Sequence, residues 1–399
     1  MVMSTIAGAT FSATRSAACC EVFVDVTGND TNNGTLFSPV ATPGQALQLL
    51  RLRAASCQAA QKTINLRSGV YELTAALDIH NGASSSSLSP HEHDGAPLAN
   101  LTIQTYALDL DNGLSAAVLS GGTHISPEAG EFNYRYDADS GIIRVDLAQV
   151  RPDDRPEHIF TLFVNGERRQ RVRTELLHWT HSISPADPCH SCDINRYGFV
   201  FGNNTFDSSW DLTSKGTEAW LLVSFHQWAT GVHTIRSINT TNNTLFVNEP
   251  VYAKYAFDNN AAGAQRFYVE NVPELPLQEG QWRVLANKTL EYRVLQSEKP
   301  QDGGTPEVEI VVPRLKYVVT INGTNNVSLR SVTLANTEWE LTAKPKGTWR
   351  ERAGLSVVGA ASEVKTVGGS GPLPVDTQII LAWEADDLTI DNCTVAHAG

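Results

Sequence analysis

"NVSLRSVTLANT" (326–337) and "DLTIDNCTVAHA" (387–398) are two copies of one pattern, set 61 residues apart, and they decide the fold. Val327, Leu329, Val332 and Leu334 answer to Leu388, Ile390, Cys393 and Val395, while Thr333 and Ala335 recur as Thr394 and Ala396. Alternating apolar residues, the period of a half-buried strand, break in each copy at a polar corner, Arg330-Ser331 or Asp391-Asn392. A repeated strand, corner and strand is a piece of a solenoid, whose turns stack at roughly 4.8 Å. One turn needs on the order of 20–25 residues. The spacing therefore predicts a long loop, best placed at 342–376, "TAKPKGTWRERAGLSVVGAASEVKTVGGSGPLPVD". Loops of that length are usually functional or disordered.

Moving outward, "TPGQALQLLRLRAASCQAA" (42–60) is the one helix the pattern supports. Thr42 and Gln45 form a capping box, Pro43 takes the first helical position, and Ala46, Leu49, Leu50, Ala54 and Cys57 share a face. We expect it to cap the N-terminal end of the stack over 43–60. Residues 1–20 read as a weak leader, and 21–155 as short strands of the solenoid. Between 156 and 300 the strands lengthen, and Asn165-Gly166 marks a tight hairpin, because both residues tolerate positive φ. That segment reads as an inserted antiparallel β-sandwich or barrel, after which 301–399 returns to solenoid turns. A solenoid is soluble only when its ends are covered, so further turns are expected after Gly399.

Composition bounds the partners. The net charge is −13 over 399 residues, which disfavours nucleic acid, whose phosphates need a positive surface. No apolar run reaches the roughly 18 residues of a membrane span, and nothing in the chain signals an oligomeric state. Asn-x-Ser/Thr sequons begin at Asn29, Asn33, Asn100, Asn203, Asn239, Asn242, Asn287, Asn322, Asn326 and Asn392. Their density predicts a secreted glycoprotein. Six cysteines (Cys19, Cys20, Cys57, Cys189, Cys192 and Cys393) favour some disulfides without fixing their pairing. Cys393 replaces an inward valine and reads as a buried free thiol.

In this order and spacing, "VFVDVTGNDTNNGTLFSPVATPGQAL", "INLRSGVYEL", "AAVLSGG", "LFVNGERRQRVRT", "FHQWATGVHTIRSI", "RFYVENVPEL" and "VSLRSVTLANTEW" resemble the right-handed parallel β-helix glycoside hydrolases of the pectin-lyase-like superfamily, particularly glycoside hydrolase families 120 and 141. The resemblance covers about residues 22–399. It implies an all-β chain, a right-handed parallel β-helix with the capping helix and the inserted antiparallel domain, and exo-acting cleavage of a glycosidic bond. It also implies that the catalytic carboxylates lie mostly on later turns than the last one here, so the true pair can fall beyond Gly399.

Glycoside cleavage needs two carboxyl groups flanking the bond. Glu338-Trp339 follows the first coil and Trp383-Glu384 lies on the second; each joins a carboxylate to an aromatic platform for a sugar ring. The alternative for both is a solvated carboxylate beside packing tryptophans. Asn336 and His397 occupy equivalent positions and should be neighbours. His226 and Trp228 in "FHQW" could wall the groove or pack in a core, and Arg266 and Asn271 read as interface and turn residues. Alternating Arg168, Arg169, Arg171 and Arg173 should send half its members to each face. Cys189-His190-Ser191-Cys192 lacks the second ligand pair of a zinc site and reads as a loop disulfide or two cysteines paired elsewhere. The "HEHD" stretch (91–94), with His91, His93 and Asp94, follows "ASSSSLSP" and reads as a solvent loop, so no metal and no cofactor is expected. The expected function is a secreted hydrolase of polysaccharide side chains, or a fragment of one. The alternatives are a polysaccharide lyase on the same fold and a non-catalytic carbohydrate-binding protein.

Overall fold

The computed structural model describes residues 20–57, 61–80, 98–127, 132–150, 159–183, 197–213, 219–224, 229–248, 257, 265–338, 348–351, 354–357, 373–374 and 379–398. The chain is mostly β with few helices, and it divides into two compact units.

The first unit comprises Met1–Gly121, Tyr317–Ala335 and Gln378–Ala396. It contains three sheets, each purely parallel. The largest runs Glu21–Val24, Lys62–Leu66, Leu101–Thr105, Asn325–Arg330, Asp386–Asp391; the second Val70–Glu72, Val118–Ser120, Thr333–Ala335, Thr394–Ala396; the third Leu77–His80, Val319–Asn322, Ile380–Trp383. All three keep the register the repeat demands: Val319 faces Ile380, Val327 faces Leu388 and Thr333 faces Thr394. Alternate side chains point inward, so Ile64, Leu66, Ile103, Leu329 and Leu334 are fully buried.

The corners repeat as faithfully as the strands. Gly323 and Glu384 have φ of 58° and 50°, Asn326 and Asp387 56° and 55°, and Ser331 and Asn392 both 51°. Left-handed backbone is costly for most side chains and cheapest for Gly, Asn and Asp, which explains the turn-forming composition of these positions. Asn326 Nδ2 also donates to Asn100 Oδ1 at 2.8 Å, so equivalent corners are tied together. Cys393 corrects the expectation of burial. The thiol is free but only half-buried, with Sγ 3.3 Å from Leu329 O. Among the described residues no further strand covers its sheet, and nearby Ile390 and Val395 are exposed.

The helix is shorter than expected, Pro43–Leu52, followed by a 3₁₀ turn Ala54–Ser56. Thr42 Oγ1 accepts from Gln45 N–H at 3.2 Å, and Asp30 carboxylate oxygens accept from Thr42 N–H and its hydroxyl, both at 2.8 Å. Ala46, Leu47 and Leu50 are its buried face. A disulfide joins Cys57, just past the 3₁₀ turn, to Cys20, which immediately precedes the first strand.

The second unit comprises Gly122–Lys316, Asn336–Thr377 and His397–Gly399, and its sheets are almost wholly antiparallel. Asn165 and Gly166, with φ of 52° and 74°, form the predicted two-residue turn that sets Val164 opposite Glu167. A four-stranded sheet orders Glu167–Arg168, Phe163–Val164, Ile310–Pro313, Gly122–Ile125; a five-stranded one orders Gln170–Arg171, Gln281–Val284, Thr289–Arg293, Ile142–Asp146, Arg135–Asp137. Between them lies a core built on Trp282, Tyr292, Ile143, Val164, Ile310 and Val312.

Residues 177–270 close into a six-stranded barrel, in the ring order Trp220–Ser224, Arg266–Glu270, Leu177–Ser182, Gly198–Phe201, Thr244–Val247, Ala229–Asn239 and back to the first. Register shifts between Trp179 and His181 and between Ile235 and Ser237 mark bulges, the usual means of bending strands around a barrel. The interior is aromatic: Trp179, Phe199, Phe201, Phe257 and Phe267. Leu177 sits opposite Phe267, and just outside the ring Asn271 N–H donates to Val172 O at 2.8 Å. Asn271 is a fully buried staple, its carboxamide accepting from Val284 N–H at 2.8 Å and donating to Val284 O at 2.9 Å. That agrees with the turn reading of this residue.

Candidate functional site

Residues opposed across a ladder share a face, and so do alternate residues along a strand. In the four-stranded sheet, Arg168 opposes Phe163, Phe163 opposes Val311, and Val311 opposes His124. These four side chains therefore lie on one face. The other face carries Val164, Ile310, Val312 and Ile125 into the core. The first face receives two of the residues singled out from sequence.

His397 stacks on Phe163, with ring centroids 4.4 Å apart and planes 14° from parallel. Its Nδ1 lies 3.0 Å from Asn336 Oδ1, so the two residues are the neighbours their 61-residue spacing predicts. Both adopt left-handed backbone, with φ of 62° for Asn336 and 53° for His397. Gly122 lets Asn336 approach: a Cβ there would sit 2.8 Å from Val311 Cγ1 and 3.2 Å from Asn336 Cβ. Arg168 completes the frame. Its guanidinium lies 5.4 Å from the Phe163 centroid and donates to Ala398 O at 3.3 Å.

Burial pushes the His397 pKa down and the positive charge of Arg168 adds to this; Glu167 and a hydrogen bond to the Gly166 carbonyl oppose it without prevailing. The depressed pKa favours the uncharged ring, whose single N–H serves only one of the two carbonyl oxygens beside it, those of Asn336 and Gly166. Because the folded pKa is depressed, this histidine's contribution to stability is complete above the unfolded value of about 6.5 and is lost as pH falls through the folded value. In an NMR pH titration the His397 ring protons should show a midpoint below that of an ordinary histidine. Arg168→Gln should move it upward, and an unchanged midpoint in that variant would refute the electrostatic account.

Glu338 follows on the same segment. It is 5% exposed, its N–H donates to Leu315 O at 2.8 Å, and its Oε1 accepts from Phe160 N–H at 3.3 Å. Glu384 lies in the other unit, exposed at its corner. Within the repeat it corresponds to Gly323, because Trp383 pairs with Asn322. The two glutamates therefore occupy different places in the repeat. Trp383 is placed only through its backbone pairing, while Trp339, His226 and Trp228, along with "HEHD" and both Cys189 and Cys192, lie outside the described residues. Two members of the basic run are exposed and two are not, but the split departs from strict alternation, since Arg171 and Arg173 would then share a face. Arg171 is buried and donates to Ile159 O, Arg169 pairs with Glu298 at 2.8 Å, and Arg168 and Arg173 are exposed over Phe163 and Tyr268.

The overlooked residues are Phe163, His124 and Glu309. His124 Nδ1 lies 2.6 Å from Glu309 Oε1, and the glutamate side chain is 51% exposed. Counting register outward from the Asn165-Gly166 turn would have put Arg168 beside Phe163. Nothing local foretold that Val311 and His124 complete the row.

No protein-family description matches this sequence, and no curated protein matches it. Among solved structures, a chain described as "Glycoside hydrolase" superposes with a TM-score of 0.62 at 19% identity, over 95% of this chain and 62% of that one. The chain has a glycoside hydrolase-like fold. It spans 62% of the length of that neighbour. The complex of XylC with xylose matches at a TM-score of 0.32 and 12% identity, over 79% of this chain and 35% of that one; a likeness that distant carries no weight.

Proposed function

We propose that this chain is a secreted carbohydrate-active protein, a glycoside hydrolase or part of one, that removes sugars exo-wise from polysaccharide side chains. The supporting observation is the fold shared with a glycoside hydrolase over 95% of the chain. We further take its three parallel sheets as the faces of a right-handed β-helix of the pectin-lyase-like kind, as the resemblance to families 120 and 141 implies. Cleavage requires one carboxylic acid to protonate the leaving oxygen and a second carboxylate to act as nucleophile or to activate water. Glu338 is the first candidate, a nearly buried carboxyl whose Oε1 accepts from Phe160 N–H. Glu384 is the second candidate, and Asn336 and His397, in the same unit as Glu338, are the proposed sugar contacts. A non-catalytic carbohydrate-binding role is the second reading, favoured by the different places that Glu338 and Glu384 occupy in the repeat.

The test is release of reducing sugar from a panel of aryl glycosides and side-chain-bearing polysaccharides. Glu338→Gln keeps the acceptor for Phe160 N–H and should lower turnover about 100-fold with an unchanged melting temperature. Wild-type turnover with no loss in Glu338→Gln would remove that residue from the mechanism. Retention of polysaccharide without release of any product would favour the binding reading, and an unsaturated product would show a lyase.

A further inference from the structure

The barrel carries a cleft of its own. It has a volume of about 550 Å³ and is lined by Phe206, Trp210, Asn204, Asn243, Asp207 and Thr240, among others. That volume falls in the range of roughly 300–1,000 Å³ typical of small-molecule sites. Its chemistry is of two kinds. Trp210 is half-buried and meets Phe206 edge-to-face, centroids 6.3 Å apart and planes at 85°, so at least one broad face of the indole is not covered by that ring. Around it stand short polar side chains set on turns. Asn204 and Asn243 have φ of 61° and 56°, so each carboxamide leaves the backbone from a left-handed position. Asn243 Nδ2 donates to Asn203 Oδ1, which fixes the plane of the Asn243 amide and leaves its oxygen as an acceptor.

We propose that this cleft binds a neutral oligosaccharide, one pyranose ring lying on Trp210 and its hydroxyls bonding to Asn204, Asn243 and Thr240. An apolar sugar face of axial C–H groups suits an indole, and vicinal hydroxyls suit carboxamides that both donate and accept. The charge of the lining selects neutral sugars over acidic ones. Its residues include no Lys, Arg or His. Its one carboxylate, Asp207, is held ionised by hydrogen bonds from the Ser209 N–H and then from the Ser209 hydroxyl. A uronate would meet that charge uncompensated. A barrel that holds the chain on a polysaccharide raises the effective concentration of substrate for the rest of the protein.

This deepens the carbohydrate reading above and rests on it, so the test separates the two. Full-length protein made without N-glycans, because Asn203 and Asn242 begin sequons at this rim, is titrated calorimetrically with cellohexaose, xylohexaose, mannohexaose and oligogalacturonate. At least one neutral hexasaccharide should bind and the oligogalacturonate should not. Trp210→Ala should weaken that binding at least tenfold. Asn243→Gly, which keeps the left-handed backbone at no steric cost, should weaken it severalfold with an unchanged circular dichroism spectrum. Turnover of small aryl glycosides should be unaffected by either variant. Binding that persists unchanged in both variants, or that prefers the acidic probe, overturns the barrel site while leaving the hydrolase reading intact. An absence of both binding and turnover overturns both.

Discussion

Trp282→Ala is expected to lower the unfolding free energy of the second unit by about 3–5 kcal/mol. The indole is fully buried in the core between the four- and five-stranded sheets, so its removal leaves a cavity lined by residues held in a ladder and unable to collapse. Two further contacts go with it. Nε1 donates to Arg169 O at 3.0 Å, and the guanidinium of buried Arg171 lies 5.0 Å from the indole centroid. Trp282→Phe retains most of the volume and loses only the hydrogen bond, so its cost should be about 1–2 kcal/mol. Denaturant unfolding followed by circular dichroism would read both. A loss below about 1 kcal/mol in Trp282→Ala would mean that this site is far less tightly packed than described.

Glu291→Leu should cost a comparable amount, about 3–5 kcal/mol, through charge rather than volume. Glu291 sits on the middle of three adjacent strands, directly opposite Arg144 on one side and Arg283 on the other. Its nearly buried carboxylate takes Arg144 Nε at 2.8 Å on Oε1, and Arg283 Nε at 2.7 Å and Nη2 at 2.6 Å on Oε2. Most of the cost falls on Arg283, whose side chain is 15% exposed, since Arg144 at 38% can recover its hydration. Replacing all three residues with apolar ones should recover most of the loss, because removing a whole buried ion cluster is often nearly neutral while breaking one is not. A triple variant no more stable than Glu291→Leu would show that the cost comes from packing.

How much of this was legible in the residues follows from the range of the forces involved. The repeat predicted the parallel register because inward alternation and left-handed corners are local preferences, and both recur in 326–337 and 387–398. Thr42, Pro43 and the Asn165-Gly166 turn were readable for the same reason. The extent of the helix was not, because the apolar spacing runs on through Ala54 and Cys57 while the backbone passes into a 3₁₀ turn at Ala54–Ser56. Closure of the barrel was also hidden, since the pairing of Trp220–Ser224 with both Ala229–Asn239 and Arg266–Glu270 is a matter of long-range geometry. In the candidate site, the Asn336–His397 contact followed from the spacing. The Phe163 platform and the His124–Glu309 pair did not, because they depend on the register of a strand about 150 residues away in the chain. Glu338 and Glu384 take different places in the repeat, because the register pairs Trp383 with Asn322 and so gives Glu384 the place of Gly323.

The neck of the barrel has an evolutionary corollary. Val172 and Asn271 are joined by a hydrogen bond, and the ring's first and last strands face one another there. Deleting everything between those two residues would leave ends already in contact, one of them with a turn-like φ of 59°. Abutting termini of this kind let a segment be removed or exchanged without opening a gap in the backbone of its host, whose one further pairing with the ring is Thr348–Glu351 against Ala229–Asn239 among the described strands.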